Sequence, residues 1–330
     1  MKTAVIFGVA GQIGSYMADY LLTKDYFVVG LTRSSTTNYF NNIQHLVDEP
    51  RFTFYECDIT EADAVNQVLD SQLYDGLEVY NFAAQSHVAT SFVHQASAVN
   101  SIVHGTLNIL NYIKRHKDND IRFYHSSSSE MFGDSPGPQN EMTTFLPNSP
   151  YAVAKLAAHN MVQVYRKAYG LHVNNGILFN TESPRRGNDF VTRKITQYVA
   201  ALLYDLAKGD DSPKLKLGNI FAWRDWGHAK DAVRAMHLML QADEPDDYVI
   251  GTGKVHTVED FLNKAFSYIK EDYHEYIDID ASLYRPREVP FLQADNKKIK
   301  EKLGWEPTVT FEDLVYDMLN SDIKKVCRDG

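Results

Sequence analysis

Tyr151 and Lys155 stand four residues apart in the stretch YAVAK, a spacing that places both side chains on one face of a helix. A lysine cation beside a phenol lowers the phenol's pKa and makes the phenolate a usable base near neutral pH. Tyr and Lys recur at that spacing by chance, so the pair needs company. It has company in YHSSSSEMFG, residues 124–133, where Ser128 and Glu130 follow an apolar, strand-like run. Two residues apart on an extended segment, they point to the same side. A hydroxyl, a phenol and an amine suffice for alcohol–ketone redox chemistry, so the carboxylate of Glu130 requires its own reason. It is either a proton acceptor for a further step or a solvated cap on the strand end.

The elements that must position these groups are legible from periodicity. TAVIF, residues 3–7, is a short apolar run that ends in GVAGQIG and continues into SYMADYLLTK, whose Met17, Leu21 and Leu22 fall at helical spacing. Further apolar runs at YFVVGLT, RFTFYE, LEVYNFAA, IRFYHS and HVNNGILF alternate with helix-like segments such as AVNSIVHGTLNILNYIKRH. That alternation predicts an α/β fold, a doubly wound parallel sheet of Rossmann-like type covered on both faces. After about residue 182 the order breaks down in SPRRGNDF, KGDDSPK and SLYRPREVP. The expected organisation is a dinucleotide-binding domain over residues 1–182, with a segment returning near 226–256. A smaller C-terminal, substrate-binding lobe takes 183–225 and 257–330.

Gly8, Gly11 and Gly14 are spaced as GxxGxxG at the junction of the first strand and first helix, where a helix N-terminus and close backbone approach favour a pyrophosphate. The second strand ends in GLTRSS, with Arg33 and serines in place of an acid for a ribose 2′-hydroxyl. A cation with hydroxyl donors suits a 2′-phosphate, which favours NADP over NAD. Asp58, after the third strand, is placed to cap the following helix at a cofactor-facing edge, to accept a hydrogen bond from adenine, or to do both. Residues 81–86, NFAAQS, supply small side chains where backbone must approach the cofactor.

The 330 residues carry a net charge of −10 with 44% hydrophobic and 23% charged content, enough for a sizeable core. The charge, without a basic block, argues against nucleic acid, and leaves any anionic ligand to clustered arginines. Two cysteines, Cys57 and Cys327, and an N-terminus that turns glycine-rich too early for a signal peptide or membrane span point to a reducing, cytoplasmic protein without disulfides. No metal site is expected.

Together the glycine turn, the serine run and the Tyr–Lys pair resemble the extended short-chain dehydrogenase/reductase superfamily, whose nucleotide-sugar members use a Ser/Thr–Tyr–Lys set. In its epimerases the residues after the catalytic hydroxyl are typically uncharged, whereas sugar 4,6-dehydratases have an acid there. The chemistry accounts for the difference: once C4 is oxidised, the adjacent ketone acidifies the C5 proton, and a carboxylate can remove it as the C6 hydroxyl leaves. The motifs AAQSHV, SSSEMFG, SPYAVAK, ILFN, ESPRRG, FVTRKI, RDWGHAKD and DEPDDYVIGTG narrow the resemblance to the GDP-mannose 4,6-dehydratase family. It implies GDP-mannose as substrate, bound NADP, a homodimer or homotetramer, and a place at the head of GDP-fucose or GDP-rhamnose formation.

By that resemblance Ser128, Glu130, Tyr151 and Lys155 are catalytic. Cofactor contacts carry over onto Gly8, Gly11, Gln12, Ile13, Gly14, Arg33, Asp58, Ile59, Phe82, Ala83, Ala84, Gln85, Ser86, Lys155, Thr181 and Arg186. Substrate contacts carry over onto Asn180, Arg193, Arg224, Arg285 and Glu288, with the arginines clamping a diphosphate. The chain departs from the family in having Ser128 for Thr, Ile13 for Asp, Thr181 for His, Trp223 for a charged residue, and one Arg instead of two at Arg33. The serine keeps the hydroxyl, while the lost Arg and His bear on the strictness of NADP preference. A reductase or epimerase of the same fold, or a silent NADP sensor, are the competing readings; Glu130 speaks against the first two and the intact set against the last.

Overall fold

The apolar run Thr3–Phe7 forms β1, and Gly8, at a φ of 84°, turns the chain into α1, Gln12–Leu22. A computed structural model describes residues 2–33, 40–73, 76–284 and 287–329, with only the backbone of 328 and 329. The first half continues through β2 (Phe27–Thr32), β3 (Phe52–Glu56), α2 (Ala62–Ser71), β4 (Leu77–Asn81), α3 (Val88–Val93), α4 (Gln95–Val99), α5 (Gly105–Arg115), β5 (Ile121–Ser128), α6 (Pro150–Tyr169) and β6 (Val173–Leu178). The second half contributes β7 (Asn180–Glu182), α7 (Val191–Lys208), β8 (Leu215–Leu217), β9 (Trp223–Arg224), β10 (Trp226–His228) and α8 (Ala229–Gln241). It ends with β11 (Asp247–Ile250), β12 (His256–Thr257), α9 (Val258–Ile269), β13 (Ile277–Ile279), α10 (Lys297–Leu303) and α11 (Phe311–Asp329).

Seven strands pair in parallel in the order β3–β2–β1–β4–β5–β6–β11. Successive side chains of β1 leave the sheet on opposite faces, which is why its sequence is apolar without alternation. Ala4 and Ile6 pack with Met17 and Leu21 of α1 and Met236 and Met239 of α8. Val5 and Phe7 pack with Leu69 of α2, Ile109 and Leu110 of α5 and Val162 of α6. The order reverses between β1 and β4, and the crevice at their carboxyl ends is where such sheets bind ligands. Two loops converge there: the glycine turn after β1 and residues 82–87 after β4.

A separate core joins α7, α9 and α11 through Ile195, Val199, Phe261, Phe266, Leu314 and Met318. The lobe boundary expected from composition needs one correction. Ile299 of α10 and Trp305 are buried with α1 and α8, so this part of the C-terminal stretch belongs with the sheet. Trp305 Nε1 donates to Asp231 O at 2.9 Å, a burial that the local run of lysines around it conceals.

Candidate active site

Ser128 ends β5, and its hydroxyl accepts the Glu130 N–H at 3.2 Å, turning the strand into a short 3-10 turn over Ser129–Phe132. That turn aims Glu130 toward Tyr151, whose phenol is hydrogen-bonded with Ser128. Helix α6 begins with Ser149 as N-cap and Pro150 in its first turn, so Tyr151 and Lys155 enter on the same face as the sequence requires. Both are buried, at 8% and 5% exposure. Lys155 Nζ donates to the Ser126 carbonyl at 2.6 Å and lies 5.8 Å from the centre of the Tyr151 ring.

One electrostatic expectation fails. Burial pushes the Tyr151 phenol up to about 12 and the Glu130 charge adds to the rise, against the Ser128 hydrogen bond and the Arg186 charge. Burial also pulls Lys155 down to about 8. Desolvation outweighs any lowering by the lysine, whose Nζ donates to the Ser126 carbonyl.

The glycine turn fits a pyrophosphate. Gly11, the N-cap of α1, brings no side-chain acceptor, so the N–H groups of Gln12, Ile13 and Gly14 have no partner within the helix. A Cβ on Gly14 would sit 2.3 Å from Gly8 O, and one on Gly8 would sit 3.0 Å from Ala83 N, so the turn, α1 and the loop after β4 close tightly on one another. Phe82, Ala83 and Ala84 are half-buried along that loop, and Ser86 is exposed. Gln85 Oε1 is buried without a hydrogen-bond partner among the described residues, while its Nε2 donates to His87 O at 2.9 Å. Arg33 is exposed at the end of β2, whose Leu31 carbonyl accepts from Gly8 N–H at 2.8 Å.

Several expected contacts are side chains committed elsewhere. Gln12 donates to Thr181 O at 2.8 Å and accepts from Ser183 Oγ at 2.8 Å, which ties the glycine turn to β7 and leaves its backbone for the cofactor. Thr181 Oγ1 donates to Phe179 O at 3.1 Å. Ile59 is buried in the sheet's second face and Ile13 packs toward its first. Asp58 caps no helix: α2 starts behind Glu61, and Asp58 Oδ1 instead accepts Thr60 N–H and Oγ1–H, both at 2.9 Å.

The arginine clamp is also redistributed. Arg193 and Asp322 of α11 form an ion pair buried at 3% exposure on both sides, and Thr196 Oγ1 donates to the same carboxylate at 2.8 Å. This pair holds α7 against α11 and commits one face of the Arg193 guanidinium to Asp322, while Arg193 Nε is buried without a hydrogen-bond partner among the described residues. Arg224 Nη2 donates to Glu288 at 2.9 Å and Nη1 to Trp223 O at 2.8 Å, so two expected substrate residues pair with each other. Asn180 Oδ1 is buried without a hydrogen-bond partner among the described residues. Arg285 lies outside the described residues. Arg186 is joined to buried Glu182 at 3.2 Å and rides 3.4 Å over the Phe190 ring. Glu182, Phe190 and Ser126 were missed by sequence reasoning; only ESPRRG, with Glu182 and Arg186 four apart, carried a signal for one of them.

A cavity of about 670 Å³ lies away from this set, between α1, α8 and α11, lined by Tyr16, Arg185, Lys230, Asp317 and Lys324 among others. Among the described residues no helix is long and apolar enough to cross a membrane, and no cluster of His, Cys, Asp and Glu could hold a metal.

A parallel sheet with this strand order, a glycine turn at its switch point and a buried Ser–Tyr–Lys set are the frame that the resemblance to the extended short-chain dehydrogenase/reductase class implies. The fold is that of the Streptomyces venezuelae dTDP-glucose 4,6-dehydratase DesIV, solved with NAD and TYD, at a TM-score of 0.85 and 24% identity over 99% of this chain and 98% of that one. The family model for GDP-mannose 4,6 dehydratase matches residues 5–318. GDP-mannose 4,6 dehydratase 2 of Arabidopsis thaliana is 44% identical, covering 99% of this chain and 88% of its own length. The human GDP-mannose 4,6 dehydratase is 41% identical, covering 98% and 92%. The chain belongs to the GDP-mannose 4,6-dehydratase family.

Proposed function

We propose that the chain converts GDP-mannose to GDP-4-keto-6-deoxymannose, a hydro-lyase reaction run through bound NADP. The observation that carries this reading is Glu130, held by the Ser128 turn close enough to Tyr151 for its charge to act on the phenol. Oxidation or epimerisation at C4 has no use for that acid; elimination of water across C5 and C6 does.

The residues divide the work by position. Ser128 hydrogen-bonds the sugar O4, and Tyr151 takes the O4 proton as C4 is oxidised. Burial raises the phenol's pKa while the Ser128 hydrogen bond and the Arg186 charge lower it, and the positive charge of an oxidised nicotinamide bound beside it would favour the phenolate that takes the O4 proton. Glu130 removes the C5 proton made acidic by the C4 ketone and passes it to the departing C6 hydroxyl, which leaves as water; the proton that Tyr151 took from O4 returns to C5 when C6 is reduced. A nicotinamide held at the glycine turn would supply the acceptor for the C4 hydride and its donor to C6. Lys155 braces the Ser126 carbonyl behind the set and holds the end of β5 against α6.

The preference for NADP is supported by Arg33, exposed at the end of β2 beside the glycine turn, where an acid that would repel a 2′-phosphate is missing. By the family resemblance the diphosphate is assigned to Arg224, which is paired with half-buried Glu288. Mass spectrometry of GDP-mannose incubated with the purified protein tests the reading: the product should be lighter by one water, and unaltered substrate or a product of unchanged mass would overturn it. Release of NAD instead of NADP on denaturation would overturn the cofactor assignment alone.

A further inference from the structure

The first turn of any helix leaves backbone N–H groups without intrahelical partners. In α6, Pro150 has none to satisfy, Ala152 N–H donates to Ser149 Oγ at 3.1 Å, and Val153 N–H donates to Ser149 O at 3.0 Å. The remaining group is that of Tyr151 itself. It donates to Ser91 Oγ at 3.1 Å, across 60 residues of sequence. Ser91 lies in α3, is fully buried, and gives its own hydroxyl proton to Val88 O at 2.6 Å. That bond fixes the hydroxyl rotor and leaves a lone pair facing α6. A serine inside a helix commonly makes the first of these bonds; the second links the backbone of Tyr151 to a different element.

Helix α3 has two other attachments. It follows directly on residues 82–87, the loop that meets the glycine turn, and it starts at His87, whose ring packs edge-on to Phe190 at 5.4 Å. Phe190 is the ring beneath the Arg186 guanidinium. One six-residue helix with its N-cap therefore adjoins the cofactor loop, packs on the ring beneath the arginine whose charge acts on the phenol, and holds the backbone of the phenol's own residue. We propose that Ser91 is a positioning residue: its hydroxyl sets the position of the Tyr151 backbone, and so where the phenol oxygen meets Ser128 and the substrate.

A cap that merely stabilises α6 predicts something different from a positioning link. Ser149→Ala removes a cap from the neighbouring N–H without touching α3, and so serves as the comparison. Ser91→Ala should lower kcat about ten- to hundredfold with KM for GDP-mannose within about twofold, since displacement of a reacting group by about an ångström costs that much. Ser91→Cys, nearly isosteric with a weak acceptor, should fall between the alanine variant and the native protein. Ser149→Ala should lose stability in urea while keeping kcat within about threefold of the native value. A Ser91→Ala kcat within twofold of native, or an equal kcat loss in Ser149→Ala, would overturn the proposal; if the alanine variant does not fold, a native kcat in Ser91→Cys does so. The turnover ratios rest on the dehydratase reading, but amide exchange does not. Exchange over residues 150–154, read by mass spectrometry, should quicken in Ser91→Ala with the rest of α6 unchanged, and unaltered exchange there refutes the link even if native turnover of GDP-mannose is absent.

Discussion

Lys155 makes a prediction about stability that its role in the site imposes. It is 5% exposed with one carbonyl as partner, and burial lowers it from 10.5 to about 8. At ~1.4 kcal/mol per unit, that displacement corresponds to about 3 kcal/mol against the folded state at neutral pH. Below pH 8 the lysine is charged in both states and the whole penalty stands. Between pH 8 and 10.5 the folded chain has released the proton and the unfolded chain still binds it, so stability from this group rises with pH across that window. Lys155→Met keeps the aliphatic stem and removes the charge. A single unfolding free energy would confuse two effects, since the Ser126 carbonyl also loses its donor at a cost of about 1–3 kcal/mol. The pH dependence separates them. Urea unfolding of both proteins at pH 7 and 9.5 should show the native chain gaining about 2 kcal/mol more than the variant over that interval. Equal gains in the two proteins would mean that Lys155 titrates near its ordinary value and that its burial carries no such penalty.

Glu130→Gln should keep the first oxidation, visible as reduced nicotinamide absorbance when GDP-mannose is added to the NADP-loaded protein, and lose dehydration by about two to four orders of magnitude. Native turnover in that variant removes Glu130 from the mechanism. Arg193→Ala should destabilise the fold by about 3–5 kcal/mol in urea, because it strands buried Asp322, while leaving KM for GDP-mannose within about twofold. A large rise in KM with native stability would instead return Arg193 to the substrate.

What was legible in the sequence was what is local. The strand–turn–helix beginning at Thr3 is written in a short apolar run, three glycines and a helical spacing, all of them patterns of neighbouring residues. Tyr151 and Lys155 are one turn apart on a helix with its own cap, so their shared face follows from spacing. The Arg193–Asp322 pair spans 129 residues and two helices, and nothing in VTRKI distinguishes an arginine that faces a diphosphate from one that faces α11. Resemblance placed Arg193 by motif; the structure adds its pairing with Asp322, which the motif does not carry. The helix cap expected of Asp58 is absent for a smaller reason: the same carboxylate can close a turn two residues on or cap a helix, and Thr60 at that offset favours the turn.

The position of β11 at the far edge of the sheet has a consequence for how the chain is made. Strand β6, residues 173–178, lies between β5 and β11, and its second neighbour is not synthesised until residues 247–250 emerge. Until then the nascent protein holds the glycine turn, the serine run and the Tyr–Lys helix beside a strand whose outer backbone groups are unpaired. Its side chains Val173 and Ile177 are destined for the interior, so the open edge is apolar as well as sticky. During the roughly seventy-residue delay, a few seconds at the usual elongation rate, this edge is open to pairing with another chain.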